Sequence, residues 1–174
     1  MAISDERRAW IINVANGETF NELSDAELDA LSEDDADRPS REFFASVADP
    51  AELHVFADAY NWDGGLKDVW RVIWHPLCDL GTALLVYWRA QPRQMLQHPD
   101  REALPEYQRE DWDLLREIEQ RVAAGAFTTA AQPLDLANDN GYDARPKPHM
   151  VARLGRDLPA AMYAAVGGRA GSTS

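Results

Sequence analysis

Cysteine is nearly missing from this chain of 174 residues: Cys78 stands alone, which excludes an internal disulfide and any zinc cluster built on several cysteines. Basic residues are scarce too, with Lys67 and Lys147 the only lysines and seventeen bases against thirty acids, for a formal charge of -13. That is the wrong sign for a phosphate backbone, so neither nucleic acid nor an anionic membrane is an expected partner. Long apolar runs are lacking. The longest, residues 80–88, is interrupted by Gly81 and Thr82 and falls far short of the roughly 20 residues that a bilayer span requires. The amino terminus places acids ahead of its arginines and no apolar stretch behind them, so no signal peptide is read there. His54, His75, His98 and His149 are too widely spaced for a ligand pair, and no glycine-rich loop runs into Lys-Ser or Lys-Thr. The expectation is a cytoplasmic protein without metal or cofactor.

What the chain does have is bulk: 45% hydrophobic residues, six Trp, five Tyr and five Phe, enough to offset backbone ordering entropy. Helical signals recur along it. Ser4 precedes a helical pattern over residues 5–15 that Asn16-Gly17 ends, and Ser24 with Glu27 forms a capping box. Ser40 reads as the cap of a turn carrying Phe43 and Phe44, while Asp49-Pro50 opens a helix to about Tyr60. A second helix over residues 66–74 should fold back on it as a hairpin, stopped by His75-Pro76. Asp79 then caps residues 80–90, apolar on nearly all sides and hence the expected central helix. Residues 107–124, with Trp112, Leu115, Ile118 and Val122 on one face, form the last long helix, which Gly125 ends. The fold class is mainly α: a single compact helical domain over residues 1–166, with its core motif at about 53–90, little or no strand, and a disordered tail over 167–174. Trp70, Trp74, Trp88 and Trp112 are assigned to the core, and Trp62 to a loop.

Charge is unevenly distributed. Residues 18–37 hold nine acids (Glu18, Glu22, Asp25, Glu27, Asp29, Glu33, Asp34, Asp35 and Asp37) and no base. Such a run is ordinarily a solvated face and loop, but it also gives the field and, with Phe20 and Leu23, the apolar anchors of a surface for a basic protein. Glu18, Glu22, Asp25, Asp29, Glu33, Asp34, Asp35, Asp37 and Trp62 are therefore the candidate partner-binding residues.

The densest chemistry lies at Asn61, Asp63, His75, Cys78 and Asp79. Their ordinary reading is structural: Asp63 and Asp79 as helix caps, Asn61 in a turn, His75 where its charge suits a helix end, and Cys78 as a small buried residue. Their functional reading is a hydrolase-like enzyme using Asp63, His75 and Asp79. Tyr60-Asn61-Trp62-Asp63-Gly64, His75-Pro76, Cys78-Asp79, Gly81-Thr82-Ala83-Leu84 and Tyr87-Trp88 together resemble the bacterial domain-of-unknown-function family 4274, over roughly residues 53–90. Gly64 stands where that family would place a second acid. The resemblance implies a small bacterial domain and assigns no catalytic residue. The first functional expectation is an acidic protein-binding module, such as an immunity protein or inhibitor of a basic toxin. The alternatives are the small enzyme above and a non-catalytic structural or regulatory adaptor.

Overall fold

Side-chain oxygens at helix starts lay out the first part of the chain. In the computed structural model, Ser4 Oγ accepts from the Arg7 amide at 3.2 Å and opens α1 (Asp5–Asn16), which Gly17 closes at φ 74°, a left-handed conformation that glycine adopts without steric cost. The capping box of Ser24 and Glu27 opens the short α2 (Asp25–Asp29), with the Ser24 amide donating to Glu27 Oε2 at 2.8 Å. Ser32 caps α3 (Glu33–Ser46), and Asp49, followed by Pro50 at the first helical position, caps α4 (Pro50–Ala59). α5 (Lys67–Trp74) ends at His75, whose extended backbone before Pro76 cannot continue a helix. Asp79 Oδ1 accepts from the Thr82 amide at 2.8 Å to open α6 (Leu80–Arg89), and α7 spans Arg109–Ala123.

The described residues are 3–90, 92, 98, 100–127, 132–134 and 158–163. They fall into two compact units, Met1–Leu77 and Cys78–Ser174. Both are helical, and no strand forms among the described residues.

In the first unit α1 packs chiefly on α4, and Ile11, Phe43, Leu53, Phe56 and Ile73 are fully buried. Phe43 and Phe56 stack with centroids 4.6 Å apart. A polar clamp joins three helices at the edge of this core. Arg7 Nε donates to Glu52 Oε1 at 2.7 Å and its Nη2 to Ser46 Oγ at 3.0 Å, while the Ala48 amide donates to Glu52 Oε2 at 2.9 Å. Burial pushes the Glu52 carboxyl up, but Arg7 and the Ala48 amide outweigh it, so the group sits below the usual carboxylate range. In the second unit α6 is buried continuously from Gly81 to Tyr87, as its apolar sequence requires. Tyr87 donates its hydroxyl to Glu119 Oε1 at 2.9 Å, and Arg116 pairs with the same carboxylate one turn away. Leu114, Leu115, Ile118 and Met162 complete that core.

Several expectations are corrected. Trp74 is 59% exposed, and Trp70, Trp88 and Trp112 are only half-buried. The pairs 69/73 and 70/74 lie on two adjoining stripes of an eight-residue helix, and Val69, Val72 and Ile73 occupy the one that faces inward, turning Trp70 and Trp74 outward. Trp88 keeps its indole N–H satisfied by the Met162 carbonyl at 3.0 Å. Ser40 caps nothing: α3 starts seven residues earlier, runs through Pro39 and includes the last four of the nine acids. Asp63 is not an N-cap either. Asn61 caps the 3-10 turn Trp62–Gly64, in which Asp63 lies, and α5 begins without a side-chain cap. α4 and α5 touch, yet the larger partner of α4 is α1, so the hairpin is one side of a helical cluster. The turn read at residues 138–141, the connector at 146–148 and the tail at 167–174 lie outside the described residues, as do residues 164–166 of the helix read near 160–166, whose described part, Ala160–Met162, forms a 3-10 turn.

Leu84→Ala should cost about 2 to 5 kcal/mol, the usual range for truncating a fully buried leucine, whereas Trp74→Ala should stay within about 0.5 kcal/mol. Urea unfolding of both variants checks this ranking, and equal losses would contradict the burial pattern.

Candidate functional site

Asp37 lies on α3 with side-chain exposure of only 13%, and it binds the guanidinium of Arg71 on α5 as a fork, with Nη1 to Oδ1 at 2.9 Å and Nη2 to Oδ2 at 2.8 Å. Lys67 Nζ adds a third contact at 2.9 Å. Arg71 also reaches Asp68 Oδ1 at 2.8 Å, and Ser40 donates its hydroxyl to Asp68 Oδ2 at 2.7 Å. The Arg71 fork, with Lys67 beside it, outweighs partial burial and holds the Asp37 carboxyl down at about 2.

This knot divides the acidic stretch into two classes. Glu27 belongs to the capping box of α2, Asp34 pairs with Arg41, Asp35 accepts from the Ser32 hydroxyl and faces Arg38 at 3.4 Å, and Asp37 is held as above. Glu18, Glu22, Asp25, Asp29 and Glu33 are exposed, with no ion pair among the described residues. The candidate partner-binding set thus has five uncommitted carboxylates, while Asp34, Asp35 and Asp37 are committed inside the first unit.

A groove of about 240 Å³ opens beside this face. Val14 and Ala15 at the end of α1, Phe20 from the 3-10 turn Glu18–Phe20, and Pro39 and Ser40 of α3 line one part of it. Tyr60, Asn61, Gly64 and Asp68 line the rest. The loop is fixed from within: the Asn61 amide donates to the Ala15 carbonyl at 3.0 Å, the Asn61 side chain accepts from the Asp63 amide at 3.1 Å, and Tyr60 donates its hydroxyl to the Gly65 carbonyl at 2.8 Å. Burial, assisted by the Asp68 charge, pushes the Tyr60 hydroxyl up to about 12. Trp62 is half-buried and meets the Tyr60 ring edge-on with centroids 5.8 Å apart, so this candidate contact residue helps support the loop. A shallower depression of about 340 Å³ lies at Phe44, Trp74, His75 and Pro76, with Arg41 and Arg71 at its edge already paired to carboxylates.

The acid-base candidates occupy local roles. Asp63 exposes its carboxylate on the 3-10 turn. His75 Nδ1 accepts from the Leu77 amide at 3.1 Å, and burial lowers the imidazole below its ordinary value against the opposing pull of the Phe44 carbonyl. His75 thus stands at the end of α5, as read, with burial disfavouring the charged form of its ring. Asp79, in the second unit, is fully buried and spends its two oxygens on the Thr82 amide and on the Gln132 amide, the latter at 2.7 Å. Cys78 is buried, and burial together with the adjacent Asp79 charge pushes its thiol up to about 12, far from a reactive thiolate. Among the described residues, no group of three or more His, Cys, Asp or Glu could hold a metal ion, and no helix is long and apolar enough to cross a membrane.

Residues 48–123 match the model of a family described as a domain of unknown function (DUF4274). The match extends the resemblance seen at residues 53–90 to all of α4, α5, α6 and α7. No curated protein and no solved structure matches the chain. The groove is thus composite: Tyr60, Asn61, Gly64 and Asp68 come from the matched segment, whereas α1, the acidic stretch and α3 precede it. Sequence reading missed Arg71 and Lys67 as the partners of Asp37, 34 and 30 positions away, because no local pattern links charges at such separations. It also missed Glu52 and Glu119, although each is an acid on an otherwise apolar helix face, a signal that a buried partner is required.

Because the Asp37 carboxyl is lowered in the folded state, its contribution is fully present above the unfolded value near 3.9 and is lost as pH falls through about 2. Asp37→Asn should destabilise the protein by about 2 kcal/mol at neutral pH, with the gap to wild type narrowing between about pH 5 and pH 2. Thermal melts across that window check this, and a constant gap at every pH would contradict the role given to Asp37.

Proposed function

We propose that this protein is an acidic protein-binding module whose first unit engages a basic protein. The observation that supports this reading most is the surplus of carboxylates: five of the nine acids in residues 18–37 face solvent without an ion pair among the described residues, while Arg38, Arg41, Lys67 and Arg71 pair with Asp34, Asp35 and Asp37. Uncompensated charge of one sign destabilises a fold slightly by self-repulsion, but it steers an oppositely charged partner and raises its association rate. A groove at the edge of that surface adds a place where a partner side chain can be enclosed.

The partner chemistry is that of a cationic toxin or enzyme, which makes this an immunity protein or inhibitor working in a reducing cytoplasm, where a lone buried thiol is at home. A regulatory adaptor would use the same surface and differ only in what it binds. The hydrolase reading gains no support from the geometry, because His75 and Asp79 already hold backbone amides and the thiol is driven up.

Glu22→Lys with Asp29→Lys reverses two uncommitted charges outside the first turn of α2 and leaves the Asp37 knot untouched. With a stoichiometric basic partner recovered on the tagged chain, this double variant should associate about tenfold or more slowly at low salt, with a smaller salt dependence and an unchanged melting temperature. Surface plasmon resonance at two ionic strengths measures it, and an unaltered association rate would reject the acidic face as the interface.

A further inference from the structure

The groove has a more specific chemistry than the face around it. Val14, Phe20, Pro39 and Tyr60 give it apolar and aromatic walls, and among the described residues that line it none is basic. Among the described lining residues Asp68 is the one carboxylate, and its oxygens each carry a contact, Arg71 on Oδ1 and Ser40 on Oδ2. A carboxylate offers about four acceptor sites, so Asp68 retains capacity toward the groove. Two further sources of negative potential meet there: the carbonyl end of α1, and the exposed Glu18 between the lining residues Gly17 and Thr19. The volume of about 240 Å³ lies below the roughly 300 to 1,000 Å³ of pockets for free small molecules and suits a single side chain.

We propose that this groove receives an arginine side chain of a basic protein partner, with the guanidinium at Asp68, the stem along Val14 and Pro39, and the planar charge against the Tyr60 ring. Arginine fits better than lysine because its flat, weakly hydrated fork both stacks on aromatic faces and bonds a carboxylate with two donors. The inference rests on the reading of the acidic face as an interface and adds the residue type that the interface anchors.

The test uses the full chain and a fluorescent hexa-arginine peptide, with hexalysine and hexacitrulline as comparisons, read by anisotropy. Ala36→Phe places a ring at the groove wall without altering any charge. It should weaken hexa-arginine by about tenfold, weaken hexalysine less, and preserve the melting temperature. Wild-type affinity in Ala36→Phe overturns the groove proposal. If Glu22→Lys with Asp29→Lys still weakens the peptide in that event, the acidic-face reading survives alone; if it does not, both fall. Should Ala36→Phe fail to fold, amide shifts in the unaltered chain decide. Peptide-induced changes centred on Gly17, Asn61 and Gly64 support the groove, and changes confined to residues 25–29 overturn it.

Discussion

The ion pair between Asp37 and Arg71 is the constraint on which the arrangement of α3 and α5 in the first unit depends. It fastens α3 to α5 through a two-pronged contact between side chains 34 residues apart. α3 carries Pro39, which removes a backbone donor and would ordinarily cost about 3 kcal/mol inside a helix, so its continuity needs tertiary support. Burial of Phe43 against Phe56 and the fork at Asp37, six residues earlier, both supply such support. With α3 held there, Pro39 and Ser40 become a wall of the groove, and the Ser40 hydroxyl settles on Asp68. Removing one member of so enclosed a pair costs more than the pair contributes, because the remaining charge is left without its partner.

The same interaction fixes how much charge is left for other purposes. The arginines and the lysine near the acidic stretch are consumed by Asp34, Asp35 and Asp37, so Glu18, Glu22, Asp25, Asp29 and Glu33 are not neutralised by their surroundings. A chain with formal charge -13 gains nothing in stability from leaving them so. Of the five, Glu18 lies between the groove-lining residues Gly17 and Thr19, and that groove is lined by the loop that the family match includes and by helices that lie before it.

Local chemistry was legible in the sequence wherever a cap or a breaker decides an element. Ser4, Ser24, Asp49 and Asp79 start their helices as their side chains allow, Gly17 and His75-Pro76 end theirs, and the apolar run after Asp79 is the buried helix of the second unit. α3 was not legible, because its acids and Pro39 imitate a solvated loop, and only partners on another helix reverse that preference. Trp74 misled for a related reason: hydrophobic spacing marks two stripes on α5 and does not say which faces inward. The Asn-Trp-Asp loop was recognisable as a motif, whereas the groove it helps to line depends on Asn61 meeting the end of α1, a contact between positions 46 residues apart.

The division of the acids into committed and free groups is tested most directly by comparing neutral substitutions in each class by thermal melting. Asp37→Asn should lower the melting temperature by about 4 to 8 °C, whereas the triple variant Glu18→Gln, Glu22→Gln and Asp29→Asn should leave it unchanged or raise it as repulsion is relieved. A triple variant that melts as early as Asp37→Asn would show that those carboxylates also hold the fold together, and would remove the basis for treating them as a recognition surface.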